Sequence, residues 1–600
     1  MNPETKNCQN CKNDFIIESE DFQFYKKIDV PPPTFCPECR SQRRLSFCNE
    51  RHLYKNTCGL CAKDMISMYP KGTTFPVYCI DCYRSDKWDP YSLGLDIDVE
   101  KPFLEQFRDL KLQVPRAAVV YQGDLNGSEY CNRASYNKNC YLLVRANYNE
   151  DCRYSYTIWE SRDSSDCFNL HKSELAYECL DTSDSYNVQY CQEIKQCRDS
   201  KFLFDCHNCT QCIGCVGLRS AQYHIFNKPY SKEEYEAKVG ELKLDTVEGL
   251  RRFKEQYNEI VRGFIRESMV STGSVDVSGN WLLNCKGLKD SYQCRDVENG
   301  RYLLTVVGGK DCMDLSYFGR EVELVYETAN CGYSSSRIKF ANECWDSCSD
   351  LTYCDNCHSS SNLFGCVGIR KGEYSILNKQ YSKEDYENIV PKIIEHMKKV
   401  PYIDSQGKGY QYGEFFPTEI SPSPYNTTVA HEHFPLTQSE ADENGFAWQD
   451  DEEKNYQYTK SWKDLPEDIA SVEDSILQEV ILCELWDTRG DRNVVAEHNC
   501  TKAFRITASE LGFYRRMNIP LPRKCPNSRH FERFNKRNPL KLYPRQCQCA
   551  GAKSDNSVYS NTIEHTHHGE NHCPNEFETS YAPGREEIVY CEQCYQQEVV

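Results

Sequence analysis

Long apolar runs and familiar catalytic signatures are both missing from this sequence. No run of about 18 apolar residues occurs in the 600-residue chain, which excludes an ordinary membrane-spanning helix. The motifs G-x-S-x-G, G-x4-G-K-S/T, H-E-x-x-H and G-x-G-x-x-G are absent as well. The usual signs of hydrolase, nucleotide-binding and zinc-protease sites are therefore missing. An enzymatic activity stays unassigned, a non-enzymatic role is favoured, and no membrane partner or small-molecule substrate is indicated.

Cysteine and tyrosine, by contrast, are abundant, with 37 and 41 residues respectively. The first ten residues are polar and lack the apolar stretch of a secretory signal peptide. We therefore expect a cytoplasmic protein, in which paired cysteines serve as metal ligands before they form disulfides. A net charge of −19 argues against a chain that coats nucleic acid along its whole length.

Four C-x2-C pairs near the N-terminus predict two zinc ribbons. Each pair supplies two thiolates, and two pairs complete the tetrahedral four-cysteine set that structural zinc prefers. Sequential pairing is the simplest choice, although the spacing leaves a cross-braced pairing open. The predicted ligands are Cys8, Cys11, Cys36, Cys39, Cys58, Cys61, Cys79 and Cys82.

The C-terminal part of the chain repeats this unit in a fixed register. Cys36 matches Cys525 at an offset of 489 positions, and after a 23-residue insertion the offset becomes 512. Glu497 and Ser528 stand where the first copy has cysteines, so one site of the copy either recruits other ligands or has lost its metal. The candidate ligands are Cys483, His498, Cys500 and Cys525 for that site, and Cys573, Cys591 and Cys594 with either Cys547 or Cys549 for the other. The inserted loop contains four further histidines, which could bind metal but are expected to be exposed: His565, His567, His568 and His572.

One motif of the first ribbon, echoed at 500–529, resembles a known family. It reads Cys11-x3-Phe15…Phe24-Tyr25…Pro33…Cys36-Pro-Glu-Cys39-Arg40 and is similar to the probable zinc-ribbon domain. The whole layout resembles large multi-ribbon proteins from candidate-phyla bacterial genomes, which sometimes carry the label Caib/baif family. The resemblance implies bacterial zinc ribbons of unknown role and brings no catalytic residues. Nothing in the sequence supports the coenzyme A transferase chemistry of that label.

Between residues 120 and 400 the cysteines follow polar residues singly, as in Asn139-Cys140 and Asp151-Cys152. Spacings of 27 residues recur, for example from Cys140 to Cys167. Short aromatic and β-branched stretches at a regular interval predict a stacked β-solenoid with small side chains inside. The run Cys206, Cys209, Cys212 and Cys215 could bind a metal, but we favour a core role because the second half of the array does not retain it.

A larger duplication lies over this pattern. The segment that begins at Cys215 recurs 151 positions later at Cys366, which predicts two lobes. Ser231 and Ser382 each stand three residues before an acidic residue, at capping-box spacing, so a helix should close each lobe.

Basic residues are concentrated in the C-terminal unit. Between Lys502 and Arg545 there are 12 Lys and Arg against two acids, whereas the stretch 440–474 is acidic. Arginines on a rigid zinc scaffold, beside aromatic rings, suit phosphate and base contacts. The alternative is that they cover acidic parts of the same chain. The candidate nucleic-acid contacts are Arg40, Arg43, Arg44, Arg515, Arg516, Arg529, Arg533 and Arg537.

Together these observations predict a mainly β protein with a central two-lobed parallel β-solenoid, helical caps and tandem zinc ribbons at both ends. Three to four Zn²⁺ are expected per chain. The predicted domains are 1–95 (ribbons), 110–270 and 271–400 (lobes with caps), 401–480 (acidic, partly disordered linker) and 481–600 (second, partly degenerate ribbon unit). The leading functional hypothesis is a scaffold that binds RNA or a ribonucleoprotein through its ribbons. A protein-interaction platform on the solenoid face and a carbohydrate-active β-solenoid enzyme are the alternatives.

Overall fold

Parallel β-sheets form the middle of the protein, and small antiparallel hairpins with short helices form both ends. The computed structural model describes residues 2–298, 300–302, 307–310, 312–315, 319–320, 322–328, 330, 332, 336–343, 349–450, 457–488 and 498–599. The chain is thus mostly β outside its helices, as the sequence predicted.

Residues 121–229, here called the first parallel stack, contain two sheets. Neighbouring strands pair in parallel at an interval of 12 residues, so that Tyr156 lies beside Phe168 and Phe168 beside Leu180. The recurring spacing of 27 residues is therefore not the pairing interval. The seven-stranded sheet contains Tyr121–Gln122, Asn132–Ser135, Val144–Asn147, Tyr156–Trp159, Phe168–His171, Leu180–Ser183 and Gln192–Lys195. The six-stranded sheet contains Glu174–Tyr177, Tyr186–Gln189, Arg198–Lys201, Thr210–Ile213, Gln222–Ile225 and Lys228–Pro229, the last of them antiparallel.

A three-residue backbone pattern accounts for the 12-residue interval. Every third residue along most of the first parallel stack is left-handed, including Asn139 (φ 53°) and Asp151 (φ 56°). The residues that follow them, Cys140 and Cys152, are buried. Asn and Asp tolerate the left-handed conformation better than other non-glycine residues, because their short side chains bond locally. This explains why a polar residue so often precedes an interior cysteine in the sequence.

The described residues between 271 and 380, here called the second parallel stack, use the same interval. Asn280 lies beside Tyr292, and Ser361 lies beside Glu373. Its strands are Ser271–Thr272, Gly279–Leu283, Ser291–Glu298 and Val307–Lys310 in one sheet, and Leu351–Thr352, Ser361–Phe364, Glu373–Ile376 and Lys379–Gln380 in the other, with the last strand antiparallel.

A capped helix follows each stack, as predicted. Ser231 and Glu234 form a capping box at the start of Lys232–Glu241. The hydroxyl of Ser382 accepts the N–H of Asp385 at the start of Lys383–Lys399. Within the described residues, the other α-helices are Ser19–Lys27, Pro37–Leu45, Ile80–Arg84, Phe103–Gln113, Val247–Arg262, Val429–His433, Gln438–Glu443, Glu484–Thr488, Ala508–Met517, Pro526–Phe534 and Glu592–Val599. Short 3-10 helices span Pro90–Leu93, Thr418–Ile420, Tyr425–Thr427, Trp462–Asp464 and Asp474–Gln478.

Each terminal unit consists of two small hairpin-and-helix modules. Their hairpins pair Glu4–Asn7 with Asp14–Ile17, Tyr54–Thr57 with Asp64–Ser67, Ile481–Leu482 with Ala503–Phe504, and Tyr543–Gln546 with Glu576–Thr579. The second module of each unit also adds one strand in parallel to the start of a stack. Val77–Tyr78 pairs with Arg116–Ala117 before the first stack, and Ile588–Tyr590 pairs with Ile265–Glu267 before the second.

The segment 401–450, which is part of the predicted linker 401–480, contains short strands and helices and packs against the N-terminal unit. It begins with the hairpin Tyr402–Ile403 and Gly409–Tyr410. Phe415 and Phe416 are fully buried in the same core as Phe47 of the first unit. These aromatic side chains hold the segment in place, because their burial outweighs the polarity of the residues around them. Within the described residues, no helix combines the length and apolar character needed to cross a bilayer.

Candidate metal centres

Two four-cysteine groups form in the N-terminal unit, and each joins sequential pairs. The thiols of Cys8, Cys11, Cys36 and Cys39 lie within 4.8 Å of one another, and so do those of Cys58, Cys61, Cys79 and Cys82. The spacing of the sequence left a cross-braced pairing open, and the structure contains the sequential one. Each group could hold a metal ion.

The sulfur spacing in these groups fits a tetrahedral ion. The Sγ atoms of Cys11 and Cys36 lie 3.7 Å apart, and those of Cys61 and Cys79 lie 3.9 Å apart. A tetrahedral zinc ion with Zn–S bonds of about 2.3 Å places its sulfur ligands about 3.8 Å apart. A disulfide would bring two sulfurs to about 2.0 Å. Both the donor set and its spacing therefore fit zinc.

The second cysteine pair of each module stands at the start of a helix, which supports the site locally. Cys36 is the N-cap of Pro37–Leu45, and Cys79 is the N-cap of Ile80–Arg84. Backbone N–H groups at a helix start stabilise negative sulfur. One such bond recurs in all four modules: the N–H groups of Cys36, Cys79, Cys525 and Cys591 donate to the Sγ atoms of Cys8, Cys58, Cys483 and Cys547, at 3.2, 3.3, 3.3 and 3.2 Å.

Backbone donors favour the thiolate form of Cys58. Burial raises its pKa, but the N–H groups of Cys61, Cys79 and Leu60 outweigh burial and lower that pKa to about 6. Because the thiolate is the form that binds metal, this group is prepared for an ion at neutral pH.

The degenerate module brings together three thiols and one hydroxyl. The Sγ atoms of Cys500 and Cys525 lie 3.8 Å apart. The Oγ atom of Ser528 lies 3.2 Å from the Sγ of Cys525 and 3.8 Å from the Sγ of Cys483. Ser528 therefore stands where the fourth thiolate of a complete site would be, and within the part of the chain that the structure describes no fourth cysteine joins this site.

His498, the fourth ligand that the sequence suggested for this module, lies beside an aromatic ring. Its imidazole stacks on Phe531 with ring centroids 5.6 Å apart. Glu497 lies outside the described residues. Among the described residues, the donors that the structure brings together in this module are the three thiols and the Ser528 hydroxyl.

The last module uses Cys547, and Cys549 belongs to a neighbouring group. The four-cysteine group is Cys547, Cys573, Cys591 and Cys594, with 3.8 Å between the sulfurs of Cys573 and Cys591. A second group combines Cys549, His565 and His568 with the shared Cys594. The insertion is thus only partly the exposed loop that was expected. His572 is exposed, whereas the side chain of His565 is fully buried.

The arginines of the first ribbon helix lie in ion pairs within the chain. Arg40 contacts Asp314 at 2.8 Å, and Arg43 contacts Glu327 at 3.0 Å. Arg44 bridges the same two carboxylates at 3.4 and 3.3 Å. None of these side chains is more than 2 % exposed. They attach the N-terminal unit to the second parallel stack.

The C-terminal unit repeats this contact on the first parallel stack. Arg529 and Arg533 contact Asp166 at 2.7 and 3.1 Å, and Arg533 also contacts Glu178 at 2.9 Å. Burial raises the pKa of Asp166, although both arginines oppose that rise. The remaining candidate contacts are also paired: Arg515 with Asp474, Arg516 with Asp163, and Arg537 with Asp181, at 2.8, 2.5 and 3.6 Å.

The central cysteine run lies in the interior of the first parallel stack. Cys206, Cys209, Cys212 and Cys215 are fully buried. The thiols of Cys206 and Cys215 donate to the carbonyl oxygens of Phe204 and Ile213 at 3.3 and 3.4 Å. These contacts are those of small core side chains with a weak donor.

A cavity of about 590 Å³ lies between the first parallel stack, the helix Val247–Arg262 and the C-terminal unit. Its lining mixes aromatic rings such as Tyr190 and Tyr581 with charges of both signs, including Lys254 and Glu193. Burial raises the pKa of Glu193 to about 7, against the pull of Arg266. Sequence reasoning missed this cavity because its walls come from distant segments. Because the lining carries charges of both signs, the cavity does not indicate one class of ligand.

Comparisons with known proteins identify no relative that explains these centres. No family model matches the chain, and no curated protein matches it. Among solved structures, the chain is similar to a protein from Desulfovibrio desulfuricans G20 whose description proposes an acetyltransferase. That likeness has a TM-score of 0.09 at 10% identity and covers 47% of this chain and 77% of the other. At this TM-score it carries no argument about fold or activity.

Proposed function

We propose that this chain is a non-enzymatic, zinc-binding scaffold in which two terminal ribbon units clamp a two-lobed parallel β-solenoid. The 12-residue pairing interval and the left-handed third residues support the solenoid. The four-cysteine groups with tetrahedral sulfur spacing support zinc. The motif of the first module supports ribbons of the probable zinc-ribbon type.

The clamp is supported by one observation: each ribbon unit contacts both stacks. Its strand pairs at the start of one stack, and its arginines are buried against the other. The N-terminal unit adds its strand before the first stack and buries its arginines against the second. The C-terminal unit adds its strand before the second stack and buries its arginines against the first. If the first N-terminal module loses zinc, it also loses the rigid helix that presents Arg40, Arg43 and Arg44, since structural zinc contributes folding free energy directly. Zinc therefore holds the N-terminal unit against the second stack, whereas the helix of Arg529 and Arg533 belongs to the degenerate module.

Native mass spectrometry and limited proteolysis of the intact chain test this proposal. We expect at least three zinc ions per chain, and we expect chelation to open both ribbon units and both stacks to protease. A chain that binds no zinc, or that keeps its protease resistance after zinc removal, would contradict it.

RNA binding, the hypothesis raised by the charge pattern, gains little from these contacts. Five of its eight arginines are at most 4 % exposed and face carboxylates of the same chain. These five arginines can contact phosphate only if their ribbon unit separates from the parallel stack against which they are buried. Affinity for a generic RNA should fall steeply with salt if the hypothesis holds, because phosphate contacts release counterions. Negligible affinity at low and high salt alike would remove it.

A protein partner on the outer face of the first parallel stack is the second candidate. Tyr136 and Tyr148 are 47% and 62% exposed and stack in parallel at 5.2 Å. Exposed aromatic pairs are typical of interface centres. Replacing both tyrosines with alanine should abolish binding of a purified partner, while Tyr186→Ala, elsewhere on the same stack, should not. Sugar binding on a glycan array would instead favour the carbohydrate-active alternative.

A further inference from the structure

We propose that the C-terminal unit holds a second metal ion beside its last ribbon ion, bound by Cys549, His565 and His568 and joined to that ribbon ion through the thiolate of Cys594. The site lies in the insertion that distinguishes this module from its N-terminal counterpart. The proposal that Cys594 bridges two ions depends on the proposed zinc ion in the last ribbon module. The proposed binding by Cys549, His565 and His568 does not depend on it.

The donor atoms of this site have the spacing of a metal coordination sphere. The Sγ of Cys549 lies 3.3 Å from the Nδ1 of His565, and the Sγ of Cys594 lies 3.3 Å from the Nε2 of His568. The two imidazole nitrogens are 3.2 Å apart. Tetrahedral zinc, with bonds of about 2.3 Å to sulfur and 2.0–2.1 Å to nitrogen, places such ligands about 3.3–3.6 Å apart.

The carboxylate of Glu598 fixes the tautomer of His565, so that a ring nitrogen of His565 presents its lone pair to the site. Its Nε2 atom lies 3.1 Å from a carboxylate oxygen of Glu598, and both side chains are fully buried. A carboxylate only accepts, so Nε2 carries a proton, and in the neutral imidazole that binds metal Nδ1 presents its lone pair to Cys549. Carboxylate, histidine and metal in this order are the usual support of a zinc-bound imidazole.

His568 is oriented in the same way from the other side. Its Nδ1 atom lies 2.8 and 3.1 Å from the carbonyl oxygens of Asn571 and Gly569, which also only accept. Nδ1 therefore carries the proton, and the lone pair of Nε2 faces the lone pair of His565. Two lone pairs at this distance repel one another unless a cation lies between them. A metal ion provides that cation and accepts the neighbouring sulfurs at the same time.

His567 has a different role, because it donates to sulfur. The Oε1 of Gln597 accepts the N–H of Thr566 at 2.9 Å, which turns the amide nitrogen toward the Nδ1 of His567 at 3.5 Å. Nδ1 is thus the acceptor, and the Nε2–H donates to the sulfurs of Cys573 and Cys594 at 3.4 and 3.5 Å. His567 also lies in a possible ligand group with His568, Cys573 and Cys594, and with its proton on Nε2 it acts as a positioning residue rather than as a ligand.

Charge balance also calls for a second ion. Five cysteines of this cluster are at most 5% exposed: Cys547, Cys549, Cys573, Cys591 and Cys594. One Zn²⁺ on the four ribbon thiolates leaves −2 with Cys549 as a neutral thiol, and a second Zn²⁺ bound by the Cys549 thiolate leaves −1. Since uncompensated buried charge is costly, two ions balance the cluster better than one.

Zinc counting on the full-length chain tests the proposal. We expect native mass spectrometry to find one zinc fewer in the double variant His565→Ala/His568→Ala than in the unmodified chain. His572→Ala is the matched control, because it removes an exposed histidine of the same insertion and should leave the count unchanged. An unchanged count in the double variant would overturn the proposal, whereas absence of zinc from the unmodified chain would instead overturn the proposed scaffold function.

Cadmium NMR on the unmodified chain gives a second readout that does not depend on folding of the variants. After replacement of zinc by cadmium, a bridging Cys594 thiolate should couple two metal nuclei, one with four sulfur ligands and one with mixed sulfur and nitrogen ligands. A cadmium-loaded chain whose resonances are all uncoupled would contradict the bridge.

Discussion

The Sγ of Cys483 accepts the N–H of Cys525 at 3.3 Å, which reproduces the 3.2 Å bond between Cys8 and Cys36 in the first ribbon. Cys483 is thus the structural counterpart of Cys8, although the register of the sequence repeat had placed Glu497 there. The degenerate module has replaced one lost cysteine from outside its own repeat.

Restoring the other lost cysteine should complete this site. Ser528→Cys places a fourth thiolate beside Cys483 and Cys525, so we expect up to one additional zinc ion per chain to survive dialysis against a weak chelator. Ser509→Cys, which adds a thiol at an exposed position of the same unit, is the control and should have no such effect. Equal zinc retention by the two variants would contradict the prediction that Ser528 occupies the place of the missing ligand.

The buried arginine clusters should contribute far more to stability than the surface pairs beside them. Asp166→Asn leaves Arg529 and Arg533 without their shared carboxylate in the interior. We therefore expect it to lower the free energy of unfolding by about 3–5 kcal/mol.

Asp163→Asn is the matched control, because Asp163 also has a left-handed backbone and pairs with the half-exposed Arg516. An exposed pair contributes about 0–1 kcal/mol. Urea denaturation of both variants compares the two effects, and similar losses would argue against the clamp.

Glu193 should make the stability of the protein depend on pH near neutrality. Its folded-state pKa, about 7, lies above its ordinary value of 4.5, so folding favours the protonated form. The stabilising contribution of Glu193 is complete when the pH is below its ordinary pKa, and it is lost as the pH rises through its folded-state pKa.

Glu193→Gln should remove this dependence. We expect the variant to gain stability relative to the unmodified chain as the pH is raised from about 5 to about 8. Thermal denaturation across this range is the measurement, and Glu233→Gln, at an exposed helix position, is the control. Parallel curves for all three proteins would show that Glu193 titrates normally.

The interior cysteines of the first parallel stack should not change the zinc count. Cys206→Ala/Cys215→Ala removes two thiols that donate to backbone carbonyls, so we expect an unchanged number of ions and a stability loss of about 1 kcal/mol for each substitution. Cys36→Ser/Cys39→Ser should instead remove one ion and unfold the first ribbon. Mass spectrometry that finds zinc missing from the first of these variants would place metal inside the stack.

A three-residue pattern in the sequence underlies the interval of the stacks. Side chains that the structure buries recur at every third position, as in Cys140, Leu143, Ala146, Asn149 and Cys152. Strand prediction looks for a period of two, and a left-handed residue in each triplet is too rare a conformation to be anticipated from propensity. The spacing of 27 was a multiple of this triplet. It was not the 12-residue interval at which strands pair.

The sequence by itself determined the paired cysteines, the repeated cysteine modules at the two ends, the parallel β character and the helix caps, because each depends on residues close together in the chain. Two thiolates at C-x2-C spacing reach one ion wherever the segment lies, and Ser231 caps its helix through bonds to the next turn. Only the tertiary structure decided where the arginines, the spare cysteines and the insertion histidines go. Arg40 and Asp314 are 274 residues apart in the chain, and a charge pattern cannot say whether its partner is a phosphate or a buried carboxylate. Which partner an arginine has depends on which surfaces pack together and exclude water when the chain folds.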